Sequence, residues 1–192
     1  DDQIPKLLAK LDQRKLRDDT IVIFTGDNGF LLGRHGLWSK GLASNPINMY
    51  EEVLQVPMIW NWLGKTAPGA ARPEMVSFYD FLPTVCDVAG VDPPAGRNLV
   101  GRSYLPLVVN RPFPKGSGPW RETVYAHFRN TEMVRDRRFK LVFRNEGGGP
   151  NELFDLANDR REKINLYDDP RFVTIQNDLK RLLQRWRTQT ST

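Results

Sequence analysis

Apolar positions along the chain follow two periods, and the change from one to the other divides it. Near the start, Ile4, Leu7, Leu8 and Leu11 fall at i, i+3, i+4 and i+7, one stripe of an amphipathic helix. Pro5 suits that helix only near its beginning. Residues 21–24 are an unbroken run of β-branched or large apolar side chains, which predicts a strand buried on both faces. Thr25-Gly26-Asp27-Asn28-Gly29 then stops the strand with turn-forming residues. A short helical turn is expected over 49–53, and a strand over 56–60 with Pro57 confining its start or an edge. Residues 63–72 read as a surface loop. A second helix is expected within 76–90, capped by Asp80, with Pro83 in its first turn and Gly90 at its stop. Phe81, Val85, Val88 and Ala89 would form its apolar face, with Cys86 in the core. Residues 91–119 are a Pro- and Gly-rich excursion interrupted by 103–107.

From Trp120 the segments become short and β-rich. Residues 123–128, 131–135, 139–144 and 152–156, joined by turns such as Asp136-Arg137 and Gly147-Gly148-Gly149, predict an antiparallel meander. Asp169 then caps a final helix with Pro170 at its first position, and Phe172, Ile175, Leu179, Leu182, Leu183 and Trp186 form its stripe. Lys180, Arg181, Arg185 and Arg187 suit the negative end of that helix's dipole. The fold class is therefore α/β: 1–119 as part of a layered α/β unit, and 120–192 as a small antiparallel sheet with a C-terminal helix.

Composition narrows the classes of function. The single cysteine excludes an intrachain disulfide framework and a CxxC zinc site. No apolar run approaches the roughly 20 residues of a membrane span. The net charge of +5 is spread among acids and accompanies no nucleic-acid reader motif, so no nucleic-acid partner is expected. The opening residues, DDQIPKLL, show neither an initiator methionine nor a signal pattern, so the chain is expected to be a piece of something longer.

Candidate chemistry collects in 20–40. In open α/β sheets, ligands sit in loops after the carboxyl ends of strands. Asp27 and Asn28 offer adjacent hard oxygen donors suited to Ca²⁺ or Mg²⁺, although such an ion needs further ligands. Lys40 is placed to neutralise an oxyanion, or to be a solvated loop charge. His35 could give a hydrogen bond or proton to a leaving oxygen, or could fix the loop. Tyr50-Glu51-Glu52 could position Lys40 or serve packing and capping. His127, in the alternating VYAHF, reads as structural, and Cys86 has no base beside it. No Gly-rich phosphate loop, GxSxG elbow or His-Glu-x-x-His helix is present.

The segments TIVIFTGDNGFLLGRHGLWSKG, YEEVLQVPMIW, VSFYDFLPTVCDVAGVDPP and LVGRSYLPLV, in this order, resemble the sulfatase family of the alkaline-phosphatase superfamily. The tail RDRRFKLVF…NELFDLANDRREKINLYDDP is similar to that family's C-terminal subdomain. The resemblance implies part of an alkaline-phosphatase-like α/β/α sandwich and hydrolysis of a sulfate ester, small molecule or carbohydrate, with a divalent cation, usually Ca²⁺. It also implies a formylglycine nucleophile made from Cys or Ser in a C/S-x-P-x-R motif, whose hydrated form attacks sulfur. By that resemblance Asp27 and Asn28 match a metal-ligand pair, Lys40 the lysine on the sulfate, and His35 the histidine of a GxHG loop. The nucleophile motif and the early Asp-Asp metal ligands are expected in the N-terminal portion of the enzyme, outside this chain. The chain would then be the C-terminal portion, inactive alone and partnered by the rest of the enzyme. The eight residues between Gly41 and Tyr50 exceed what many members have, and are expected to bear on substrate choice. The family favours a periplasmic or secreted setting. The competing readings are a phosphonate or phosphodiester hydrolase of the same superfamily, and a non-catalytic binding module with a decayed site.

Overall fold

The computed structural model describes residues 2–96, 98–145 and 148–190. Helix α1 (Ile4–Gln13) leads into strand β1 (Ile21–Thr25), which pairs antiparallel with β2 (Met58–Trp62). Between them lies the 26–50 segment and the single-turn helix α2 (Glu51–Leu54). The register places Ile21, Ile23 and Thr25 opposite Trp62, Trp60 and Met58, and Phe24 opposite Ile59. Opposed residues share a face. The Trp60 face packs on α3 (Phe81–Ala89) and α4 (Leu105–Val108), with the Trp60 ring 6.3 Å from Phe81 and 5.8 Å from Tyr104.

The expectation that this strand is buried on both faces is corrected. Phe24 and Ile59, which share a face of the two-stranded ribbon, are 49% and 56% exposed, so the described residues leave that part of the face open. The α1 stripe behaves alike: Leu8 and Leu11 are half-buried, while Ile4 and Leu7 are exposed.

The start of the second helix also differs in detail. Ser77 is the cap: it and Asp80 form a reciprocal capping box around a 3-10 turn, Phe78–Asp80, ahead of α3. The Asp80 carboxylate accepts from Ser77 N at 2.9 Å and Arg102 N at 2.9 Å, and it pairs with Arg121. Asp80 is fully buried, so these partners satisfy a charge that would otherwise be costly. Gly90 ends α3 at φ 67°, as anticipated. The buried side of α3 is Pro83, Thr84 and Cys86, whereas Val85 and Ala89 are exposed.

The meander forms as read: β3 (Val124–Phe128), β4 (Thr131–Arg135), β5 (Phe139–Arg144) and β6 (Glu152–Asp155), paired in sequence order. Gly147 of the last turn lies outside the described residues. Asp169 accepts from Arg171 N at 2.9 Å to start a 3-10 turn that runs into α5 (Val173–Thr190). Alternation sends Val134, Leu141 and Leu153 to the α5 side, where Leu179 and Leu183 cover them. Met133, Val142 and Phe154 point the other way and pack with Met49, Tyr50 and Leu54. The sheet thus carries α5 on one face and the α2 segment on the other. Arg187 does more than complement the α5 dipole: its guanidinium grips Glu132 of β4, with Nε 2.9 and 2.8 Å from the two carboxylate oxygens.

Candidate active site

A turn at the end of β1 brings Asp27 and Asn28 to the rim of a groove of about 1390 Å³, which Lys40, Arg72, His127 and Arg135 also line. Asp27 Oδ1 accepts from Asn28 N at 2.9 Å, which fixes the turn. Asn28 donates its amide to Gly29 O at 3.0 Å and accepts from Lys40 Nζ at 3.0 Å on Oδ1. Asp27, Asn28 and Lys40 are therefore brought together, though Lys40 is distant in sequence.

Gly29 locks this turn to α2. Its N–H donates to Val53 O at 2.8 Å, and a Cβ there would lie 1.9 Å from Glu52 O. Only glycine lets the two backbones approach so closely. Beyond it, Leu31 N donates to Ser39 O at 2.8 Å and Gly33 N to Leu37 O at 2.9 Å, closing the loop that presents Lys40. Leu31 is its fully buried anchor.

His35 is turned away from the groove wall. It sits at φ 56°, a left-handed conformation that disfavours non-glycine residues. Its ring stacks on Tyr50 at 3.6 Å and an interplanar angle of 2°, with Nε2 3.6 Å from Glu52 Oε2. Arg34 Nε lies 3.4 Å from the other Glu52 oxygen. Burial, and next the Glu152 carboxylate, push the Tyr50 hydroxyl pKa up, so it stays protonated. The trio 50–52 is thus divided: Tyr50 and Glu52 hold His35, Glu51 turns to Arg135 and Lys140, and Lys40 is bound by Asn28 instead. The sequence offered Lys40 as a partner for this trio, and the structure gives Glu52 to Arg34 and His35 instead. His127 is exposed on β3 and lines the groove.

The donor set bears on a hard cation. Asp27 and Asn28, adjacent in the chain and both lining the groove, supply a carboxylate and an amide oxygen, and the amide oxygen already accepts from an ammonium. Among the described residues no group of three or more His, Cys, Asp and Glu could hold a metal. Asp27 and Asn28 fit part of a six- to eight-oxygen shell and do not complete one. Within the long segment after Lys40, Asn48 Nδ2 reaches Gly41 O at 3.2 Å and Ser44 Oγ at 2.9 Å, and Leu42, Ile47, Asn48 and Met49 line the groove.

One expectation about the nucleophile motif needs correcting. The letters S-x-P-x-R do occur in this chain, at Ser117-Gly118-Pro119-Trp120-Arg121. Their partners are structural. Ser117 Oγ donates to Pro114 O at 2.7 Å, Trp120 Nε1 to Met75 O at 2.9 Å, and Arg121 pairs with Asp80. None of the five lines the groove with Asp27, Asn28 and Lys40.

Residues 33–189 match the family model described as N-sulphoglucosamine sulphohydrolase, C-terminal. The chain is 29% identical to N-acetylglucosamine-6-O-sulfatase of Bacteroides thetaiotaomicron, over 98% of its own length and 34% of the relative's. Among solved structures it is similar to BT4656 in complex with its substrate D-glucosamine-2-N,6-O-disulfate, at TM-score 0.85 and 28% identity, covering 99% of this chain and 38% of that one. It is also similar to phosphonate monoester hydrolase of Agrobacterium radiobacter, at TM-score 0.81 and 25% identity, covering 98% and 39%. The chain spans about a third of the length of the curated relative. With a family model matched over most of its residues, the chain belongs to the sulfatase family and corresponds to that family's C-terminal portion.

Proposed function

We propose that this chain supplies one wall of the active site of a divalent-cation-dependent sulfuric ester hydrolase acting on a sulfated carbohydrate. The formylglycine nucleophile and the remaining cation ligands would come from the N-terminal portion of the same enzyme, and this chain alone would be inactive. The observation that carries the proposal is the pairing of Lys40 Nζ with Asn28 Oδ1 at 3.0 Å, beside Asp27 on the groove rim. Asp27 and Asn28 would hold the cation, most simply Ca²⁺, through their side-chain oxygens. A bound cation would offset negative charge on the sulfate oxygens.

The chain's own residues then have separable roles. Released from Asn28 Oδ1 when that oxygen holds a cation, the Lys40 ammonium would be free to reach a sulfate oxygen as a point charge. A charge aimed where negative charge develops contributes on the order of 10²–10³ in rate. His35, clamped by Glu52 and Tyr50, would act through the loop that presents Lys40. The carbohydrate substrate is supported by the two similar proteins, an N-acetylglucosamine-6-O-sulfatase and BT4656 in complex with D-glucosamine-2-N,6-O-disulfate. The phosphonate monoester hydrolase shares the fold at lower identity, and the matched family model favours sulfate.

The test is Lys40→Ala in the full-length protein. Aryl sulfate turnover is expected to fall about 100-fold. The unfolding midpoint should hold, because this lysine is exposed. Parallel loss of folding and activity would assign Lys40 to the loop's structure instead.

A further inference from the structure

The four residues of α2 touch the candidate cation loop on one side and a buried charge cluster on the other. Toward the loop, Val53 O binds Gly29 N at 2.8 Å, and the Glu52 carboxylate lies 3.6 Å from His35. Toward the meander, the Glu51 carboxylate lies 3.1 Å from Lys140 Nζ and pairs with Arg135. Glu162 closes the cluster: Oε1 is 2.7 Å from Lys140 Nζ, and Oε2 accepts from the Glu51 backbone N–H at 2.7 Å.

These groups are costly to place. The Lys140 and Glu162 side chains have no solvent exposure at all. Burying such charges is a poor route to stability compared with apolar packing. Glu162 is also held at φ 50°, where a non-glycine residue is disfavoured. The cluster bonds both the Glu51 side chain and the Glu51 backbone N–H, and so adds directional contacts to the apolar packing of Met133, Val142 and Phe154 beside Tyr50 and Leu54. A helix of one turn has little rigidity of its own. Its placement over Gly29 must therefore come from outside.

We propose that Lys140, with Glu51 and Glu162, is a positioning residue for the active site: it sets α2 against the Asp27–Gly29 turn, and so sets cation affinity and turnover from the far side of the helix. The proposal rests on the assignment of Asp27 and Asn28 as cation ligands. Supporting groups behind metal ligands are typically worth 10–100-fold in affinity or activity.

The experiment uses the full-length protein with Lys140→Met and Glu51→Gln. Calcium binding is read by calorimetry, aryl sulfate kinetics by kcat and KM, and folding by denaturant titration. Both folded variants are expected to bind Ca²⁺ at least fivefold more weakly and to lose about tenfold in kcat, with KM within about twofold. Glu51→Gln keeps an oxygen for Lys140 and the backbone bond to Glu162, so it decides the matter if Lys140→Met does not fold. Wild-type calcium affinity and kcat in folded variants, with only a lowered unfolding midpoint, would make the cluster a brace for the fold and overturn the proposal. Asp27→Ala is the separating control. If it leaves calcium binding unchanged, the cation assignment itself fails; if it abolishes binding while the cluster variants do not weaken it, only the coupling fails.

Discussion

Gly29→Ala perturbs the contact on which the site's geometry depends. The added Cβ would lie 1.9 Å from Glu52 O and 2.9 Å from Glu52 C, both backbone atoms, so no side chain can rotate aside. The turn and α2 must separate by more than 1 Å to restore ordinary contact. Separation stretches the 2.8 Å bond from Gly29 N to Val53 O. Overpacking costs about 1–3 kcal/mol and the weakened hydrogen bond about 1 kcal/mol, so stability should drop by about 2–4 kcal/mol. Displacing Asn28 relative to Lys40 should also lower kcat/KM for an aryl sulfate by about 100-fold, the usual effect of an ångström-scale misplacement. Gly36→Ala is the control: it lies in the same loop at φ 69° with open space around it, so only the left-handed backbone cost of about 1–2 kcal/mol applies. Denaturant unfolding and steady-state kinetics on the full-length protein give both numbers. If Gly29→Ala matched wild type in stability and activity, or merely equalled Gly36→Ala in both, the close packing of turn on helix would not govern the site.

Other expected outcomes concern the support around the site. Arg187→Met strips a bidentate partner from Glu132, which is only 6% exposed, and should cost about 2–3 kcal/mol in unfolding, whereas Arg181→Met, which breaks an exposed pair with Asp178, should cost under about 0.5 kcal/mol. Equal effects would mean the Arg187 grip is worth no more than a surface pair. The Arg138 guanidinium, by hydrogen bonding, holds the Asp155 carboxyl below the usual carboxylate range. That contribution is present above the unfolded carboxylate value of about 4 and is lost as pH falls through the lower folded value. Arg138→Met should therefore flatten the acid limb of stability below about pH 4, and an unchanged limb would remove Asp155 as its source. The 192-residue chain alone should bind Ca²⁺ weakly and hydrolyse no aryl sulfate. Tight calorimetric binding would show that its own residues complete a site.

Local patterns in this sequence transmit well, and distant partnerships do not. The meander was legible because its segments are short, β-rich and joined by turns, and the structure adds that Val134, Leu141 and Leu153 share the face covered by α5. The start of α5 was legible because Asp169-Pro170 combines a cap with a preset φ. Asp27, Asn28 and Lys40 could be nominated from their residue types and the strand before them, and the structure adds that they share one rim. By contrast, nothing local marks Lys140 within 139–144, since pairing with Glu51 and Glu162 across such separations leaves no local period. Exposure of Phe24 and Ile59 was hidden for the same reason: an apolar run reports what a strand can bury, not which layers cover it. The sequence nominated Asp80 as the cap, whereas the geometry makes Ser77 the cap and Asp80 its reciprocal partner. The Ser117–Arg121 letters show the converse hazard, a motif whose side chains are all engaged elsewhere.

The most direct measurement is hydrolysis of an aryl sulfate by the full-length protein, with and without a chelator, for wild type and Asp27→Ala. Wild type should lose activity on chelation and regain it with added Ca²⁺, and Asp27→Ala should need far more Ca²⁺ or remain inactive. Hydrolysis indifferent to the chelator, or a wild-type protein that cleaves an aryl phosphonate and leaves the sulfate untouched, would contradict the assignment of the Asp27, Asn28 and Lys40 rim to cation-assisted sulfate ester hydrolysis.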